Sequence, residues 1–211
     1  FQGMATALIT PMTPEGIDYE TLERFIEFQI ESGIQALVVM GTTGENATID
    51  PADQQKVIRF TVQKVAHRVP VIAGTGTNCT GHVLAQTKAA CEAGVDGVLV
   101  VTPYYNKATQ KGLIAHFTAI ADASTVPVIL YNVPGRTGCN LLPRTAAELA
   151  KHPNIVGIKE ASGSMAQMVQ LRALCGDDLP IYSGEDALTV PMMSMGGAGC
   201  ISVLSNVVPR E

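Results

Sequence analysis

Residues 70–102 read PVIAGTGTNCTGHVLAQTKAACEAGVDGVLVVT. The run opens on Pro70–Thr75, a β-branched stretch that is continuously apolar rather than alternating, the mark of a strand covered on both faces. Thr80–Ala93 follows at helical length, with Gly94 where a helix stops. Gly97–Thr102 then repeats the first pattern. The same alternation extends in both directions. Strands are expected at Ala5–Thr10, Ala36–Met40, Pro127–Asn132, Ile155–Glu160, Leu179–Gly184 and Ala198–Val203 as well. Helices are expected at Asp18–Ser32, Pro51–His67, Thr109–Ala123, Pro143–Lys151, Ser164–Cys175 and Asp186–Met195, with stop glycines also at Gly33, Gly176 and Gly196. Eight strands and seven intervening helices predict a parallel sheet, and eight repeats predict one closed (β/α)8 barrel domain over residues 1–211. An open dinucleotide-binding sheet would need G-x-G-x-x-G after the first strand. The nearest approach, Gly74-Thr75-Gly76, follows the third strand and lacks the third glycine. The chain ends at Glu211, just after the eighth strand, so the expectation is a barrel without its eighth helix.

Composition narrows the function. Apolar residues make up 46% and charged residues 16%, a core-rich balance that excludes disorder for the bulk of the chain. The net charge is −5 and no run of Lys or Arg occurs, so the electrostatic footprint for nucleic acid is missing. Apolar stretches are short and broken by Gly, Thr or Pro, which argues against a membrane span. Cys79, Cys91, Cys139, Cys175 and Cys200 are odd in number and without C-x-x-C spacing; they read as reduced thiols of a cytoplasmic protein. His67, His82, His116 and His152 are scattered, which argues against a metal hydrolase. The start, Phe1-Gln2-Gly3, reads either as native sequence or as a tag scar before Met4, and a removed leader stays open.

In such barrels the chemistry sits at the C-terminal strand ends. Of seven lysines, Lys159 alone ends an apolar strand, Ile155-Val156-Gly157-Ile158. Partial desolvation there lowers an ammonium's pKa, and a neutral amine attacks a carbonyl to form a Schiff base. The plainer reading is an ion pair with a neighbouring Glu. Tyr131, Tyr105 and Thr42 supply hydroxyls at nearby strand ends for proton transfer; for Tyr104 and Tyr105, loop packing or an interface is the alternative. Gly41 and Gly44 flank Thr42 and Thr43, leaving backbone N–H groups free for a carboxylate unless this is an ordinary tight turn. Arg136 is the only arginine at a strand end. A carboxylate ligand suits it, as would an ion pair with Glu45 or Asp186. No histidine or metal-ligand cluster falls at a strand end, so no metal and no cofactor are expected.

The segments Thr6-Ala7-Leu8-Ile9-Thr10-Pro11, Gly41-Thr42-Thr43-Gly44-Glu45, Ala73-Gly74-Thr75-Gly76, Val101-Thr102-Pro103-Tyr104-Tyr105, Tyr131-Asn132-Val133-Pro134, Gly157-Ile158-Lys159-Glu160 and Ser183-Gly184 together resemble the dihydrodipicolinate synthase family, within the N-acetylneuraminate lyase superfamily of pyruvate aldolases. The resemblance runs the whole length. It implies condensation of pyruvate with L-aspartate semialdehyde, the first committed step toward diaminopimelate and lysine, in a homodimer or homotetramer. It implies that Lys159 forms the imine, that Tyr131, Thr42 and Tyr105 relay protons, and that Tyr105 reaches into a neighbouring subunit's site. Thr42 and Thr43 amides would hold pyruvate's carboxylate, Arg136 that of the semialdehyde, and Gly184 and Ile201 would line the pyruvate end. Phe1-x-Gly3 resembles the family's native start. Family members continue past the eighth strand into a further helix and a small C-terminal helical region, so this chain reads as C-terminally incomplete. The family's lysine-effector site would lie near Asn46, Ala47, Gln54, Asn78 and Tyr104; His82 stands where lysine-sensitive members carry glutamate, which argues against strong lysine inhibition. A sister aldolase acting on N-acetylneuraminate or a keto-deoxy-sugar acid shares Lys159 and Tyr131, and Arg136 is what separates the two readings. An inactive fragment is the third alternative.

Overall fold

The computed structural model describes residues 1–210. Eight parallel strands close into a barrel: β1 (Gly3–Ala7), β2 (Ala36–Val39), β3 (Val71–Gly74), β4 (Gly97–Val101), β5 (Val128–Asn132), β6 (Ile155–Glu160), β7 (Ile181–Ser183) and β8 (Gly199–Ser202), with β8 pairing back onto β1. Helices on the outside connect them: α1 (Tyr19–Glu31), α2 (Pro51–Val65), α3 (Thr80–Glu92), α4 (Gln110–Ala123), α5 (Pro143–Leu149), α6 (Met165–Cys175) and α7 (Thr189–Ser194). The (β/α)8 expectation holds.

The strands differ from the expected spans mostly at their ends. The first begins two residues early, because Gly3 already pairs with Gly199, and stops at Ala7. The second stops at Val39 because Met40, though buried, takes a left-handed backbone (φ 54°) and turns the chain into the Gly41–Glu45 loop. Such strain on a non-glycine residue clusters at functional sites. A two-strand hairpin, Met12–Thr13 with Gly16–Ile17, has no counterpart among the expected elements. The helix expected over Asp186–Met195 is instead a 3-10 turn, Asp186–Leu188, followed by the short α7. After β8 comes another 3-10 turn, Leu204–Asn206, with Val203, Leu204 and Val207 exposed.

Local chemistry explains the helices. Asp18, Thr109 and Ser164 accept backbone N–H bonds as N-caps of α1, α4 and α6. Gly33, Gly94, Gly176 and Gly196 take positive φ where their helices end. Leu113, Phe117 and Ile120 recur on one face of α4 and are buried against the barrel. Each such side chain contributes about 1.5–3 kcal/mol by burial. A second cluster fills the barrel interior, with Ala5, Ala7, Ala36, Val38, Ile72, Leu99, Ile129, Tyr131, Tyr182 and Ile201.

One irregularity decides which way the lysine strand faces. Val128 pairs with Ile155 but Ile129 pairs with Gly157, so Val156 is an extra, bulged residue. Ile155 and Ile158 both face the helical layer, and the residues between them would not alternate correctly without the bulge. It leaves Lys159 pointing into the barrel and Glu160 out of it.

His116, on α4, is 6% exposed; its Nδ1 pairs with Thr80 Oγ1 at 2.8 Å and its Nε2 has no partner. Burial holds its pKa below the ordinary 6.5. The folded state therefore keeps the ring neutral, while the unfolded chain takes up a proton as pH falls through about 6.5. Stability from this residue is present above that pH and is lost below it. The melting temperature of the wild type should fall more steeply between pH 6.5 and 5 than that of His116→Gln; parallel curves would refute the assignment.

Candidate active site

Lys159 is the penultimate residue of β6, paired in register with Tyr131 on β5 and Tyr182 on β7. It is 4% exposed, and its Nζ lies 4.6 Å from the centroid of the Tyr131 ring. Among the described residues no carboxylate forms a salt bridge with it. The ion-pair reading with Glu160 fails because Glu160 points outward and is satisfied by other groups. Burial lowers the pKa of Lys159 to about 8; the Asp186 carboxylate acts against the fall, and Arg136 adds to it. The Cys200 thiol is itself pushed up to about 11 by burial, so it stays protonated. The sequence marks Cys200 only as one of five thiols, because its neighbourhood with Lys159 arises from the barrel and not from spacing.

Gly184 explains how the lysine fits. A Cβ at this position would stand 2.7 Å from the Ala161 Cβ and 2.9 Å from the Lys159 Cε. The absent side chain is the space through which the lysine stem runs.

Tyr131, against which the lysine lies, borders a cavity of about 190 Å³, lined also by Gly41, Thr42, Val133, Arg136 and Tyr104 among others. Burial raises the Tyr131 phenol above its usual value, while Thr42 and Arg136 act in the opposite sense. The Thr42 and Thr43 amides donate no hydrogen bond within the described residues, whereas the Gly44 and Glu45 amides close back onto Gly41 and Thr42. Two N–H groups are thus left for an anion. Arg136 sits on the helical turn Pro134–Thr137 after β5, exposed and in no salt bridge of the described residues; neither Glu45 nor Asp186 pairs with it. Ile201 is buried in the same interior cluster as Tyr131. Of the expected site residues, Thr42, Tyr131 and Arg136 line this cavity, while Lys159, Thr43, Gly184 and Ile201 lie outside its lining and Tyr105 stands out in solvent. It is 89% exposed, has a positive φ of 74°, and does not line the cavity.

The six residues of the expected effector site do converge. Asn46, Ala47, Gln54, Asn78, His82 and Tyr104 line a second cavity of about 310 Å³, and Asn46, Ala47 and Tyr104 border both cavities.

A closed (β/α)8 barrel with a buried, unpaired lysine near a strand's C-terminal end, beside a tyrosine, defines an enzyme of the lysine-dependent barrel class. The chain matches the dihydrodipicolinate synthetase family over residues 1–211 and belongs to it. It is 53% identical over 210 residues to the 4-hydroxy-tetrahydrodipicolinate synthase of Geobacter sulfurreducens, covering all of this chain and 72% of that protein. Among solved structures it superposes on the chloride-inhibited dihydrodipicolinate synthase of Acinetobacter baumannii complexed with pyruvate, with TM-score 0.97 and 44% identity over 99% of this chain and 72% of that one. It also superposes on the lysine-bound enzyme of Cyanidioschyzon merolae, with TM-score 0.96 and 42% identity over 100% and 72%. No helix among the described residues is long and apolar enough to cross a membrane.

Proposed function

We propose that this chain condenses pyruvate with L-aspartate semialdehyde to 4-hydroxy-tetrahydrodipicolinate, in the cytoplasm, as a step of diaminopimelate and lysine biosynthesis. The observation that carries this reading is Lys159: buried, unpaired and set against Tyr131, which lines the cavity. Its amine attacks the ketone carbon of pyruvate and water leaves, giving an imine. The imine draws electrons from the methyl group, which loses a proton and becomes a carbon nucleophile toward the aldehyde. The semialdehyde's own amino group then displaces Lys159 and closes the ring. Tyr131 and Thr42 move the protons, the Thr42 and Thr43 amides hold pyruvate's carboxylate, and Gly184 and Ile201 shape its far end. Tyr105, exposed in one protomer, completes the relay of a second copy in a homodimer or homotetramer. The cavity around Gln54, Asn78 and His82 takes free lysine, weakly because His82 offers its amines no carboxylate.

The direct test is product formation from the two substrates. Cleavage of a sugar acid without condensation would transfer the reading to a sister aldolase. Arg136 separates the two substrates. One charge-assisted contact to a carboxylate is worth about 1.5–3 kcal/mol. Arg136→Ala should therefore lower kcat/KM for the semialdehyde by roughly ten- to hundredfold, with a smaller effect for pyruvate. An equal loss for both would mean that Arg136 only supports its loop.

A further inference from the structure

Behind the Tyr131–Lys159 pair, on the outer side of the same two strands, lies a closed set of polar groups that the chemistry above does not use. The register that pairs Tyr131 with Lys159 pairs Asn132 with Glu160, and alternation sends the second pair outward. Asn132 is fully buried and Glu160 is 3% exposed, yet no cation among the described residues forms a salt bridge with Glu160. Its charge is met by N–H donors alone. Asn132 Nδ2 at 3.0 Å and Gln167 Nε2 at 3.1 Å donate to Oε2, and the Ser162 amide at 2.7 Å donates to Oε1. Asn132 Nδ2 also donates to Asn140 Oδ1 at 2.9 Å, and Asn132 Oδ1 accepts from the Leu141 amide at 2.9 Å. Asn140 Nδ2 donates to Gln167 Oε1 at 2.9 Å, and Gln167 Nε2 returns a bond to Asn140 Oδ1 at 3.2 Å.

We infer that Glu160, with Asn132, Gln167 and Asn140, is a positioning network that clamps the ends of β5 and β6 and so fixes Tyr131 against Lys159. The inference rests on reading that pair as the reacting groups. The backbone pairing of these strands ends with the Ala161 amide donating to the Asn132 carbonyl at 2.9 Å. Tyr131 and Lys159 stand one residue short of that end, where a strand pair frays unless something beyond the ladder holds it. The network supplies that hold where Asn132 and Glu160 are buried, so that a partner lost there is not replaced by solvent. It also ties down Asn140 and Leu141, at the far end of the loop that carries Arg136. A displacement of about 1 Å of reacting groups costs on the order of a hundredfold in rate.

The network has one hydrogen-bond polarity, and this makes it testable with isosteric changes. In Glu160→Gln, an NH2 must face either the Ser162 amide or the Asn132 and Gln167 donors. Adding Asn132→Asp lets the network reverse: the side-chain amide introduced on β6 donates to the carboxylate introduced on β5 and accepts from Ser162, while Gln167 and Asn140 turn their amides over. The double variant needs no change beyond those amide flips and keeps one buried charge. In the full chain, E160Q should lower kcat about ten- to hundredfold while KM for pyruvate stays within about threefold. E160Q/N132D should recover most of that loss. A wild-type kcat in E160Q with only a lower melting temperature would overturn the inference, as would a double variant no better than the single one. Should E160Q fail to fold, Asn140→Ser at the half-buried edge decides in its place: a lower kcat at full folding supports the clamp, and a lower melting temperature alone refutes it. Borohydride trapping of pyruvate on wild-type Lys159 tests the underlying reading separately. A trap at another lysine sinks that reading, whereas a trap at Lys159 with unchanged kcat in E160Q sinks the network alone.

Discussion

Lys159→Ala is expected to lower kcat by on the order of a thousandfold or more, and Lys159→Arg to do no better. Arginine keeps the charge but never gives it up, so it offers no lone pair to a carbonyl. The lysine differs because burial brings its pKa down to about 8. At pH 7 roughly one amine in ten is then neutral, against a few in ten thousand at the ordinary value near 10.4. The depressed value fixes the pH dependence: imine formation with pyruvate should rise with pH up to about 8 and level off above it. Sodium borohydride with pyruvate should add one reduced pyruvyl mass, on the peptide carrying Lys159. An adduct on another lysine would end this mechanism. A rate that keeps climbing past pH 9 would mean that Lys159 is not desolvated in solution.

Much of this is legible in the sequence, for identifiable reasons. Continuous β-branched runs and stop glycines are local signals, and they locate all eight strands and the helices between them. Lys159 is visible because a charged residue at the end of an apolar strand breaks the pattern. What escapes depends on partners distant in sequence. The bulge at Val156 leaves no mark in the residue types, yet it decides that Lys159 faces inward. The apolar pattern puts Asp186 and Thr189 on one helix, but the Asp186 carboxylate accepts the Val203 and Leu204 amides instead, and the chain there winds as a 3-10 turn first. Adjacency in sequence makes Glu160 look like an ion-pair partner for the lysine. Adjacent residues on a strand face opposite sides, so adjacency argues against contact. The outward network of Asn132, Asn140 and Gln167 joins three separate segments and has no sequence signature of its own.

Tyr131→Phe should leave imine formation standing and remove turnover. The substitution takes away one oxygen and keeps the ring that lies against the Lys159 ammonium. The lysine therefore keeps its buried setting, and borohydride should still trap pyruvate on it. What disappears is the hydroxyl placed at the cavity wall, where protons must leave the attacked ketone oxygen and later the methyl carbon. Burial raises the phenol's pKa, with Thr42 and Arg136 pulling it back, so at neutral pH the hydroxyl carries its proton and has it to give. A positioned proton donor contributes about 10²–10⁴-fold to rate. The expected fall in kcat is of that order, with KM for pyruvate little changed because the Thr42 and Thr43 amides are untouched. Thr42→Val should give a smaller loss, since it removes a neighbour of the donor and not the donor. If Tyr131→Phe turns over within about threefold of wild type, proton transfer runs through another group. If instead it no longer traps pyruvate, Tyr131 serves to hold the lysine in place and not to move its protons.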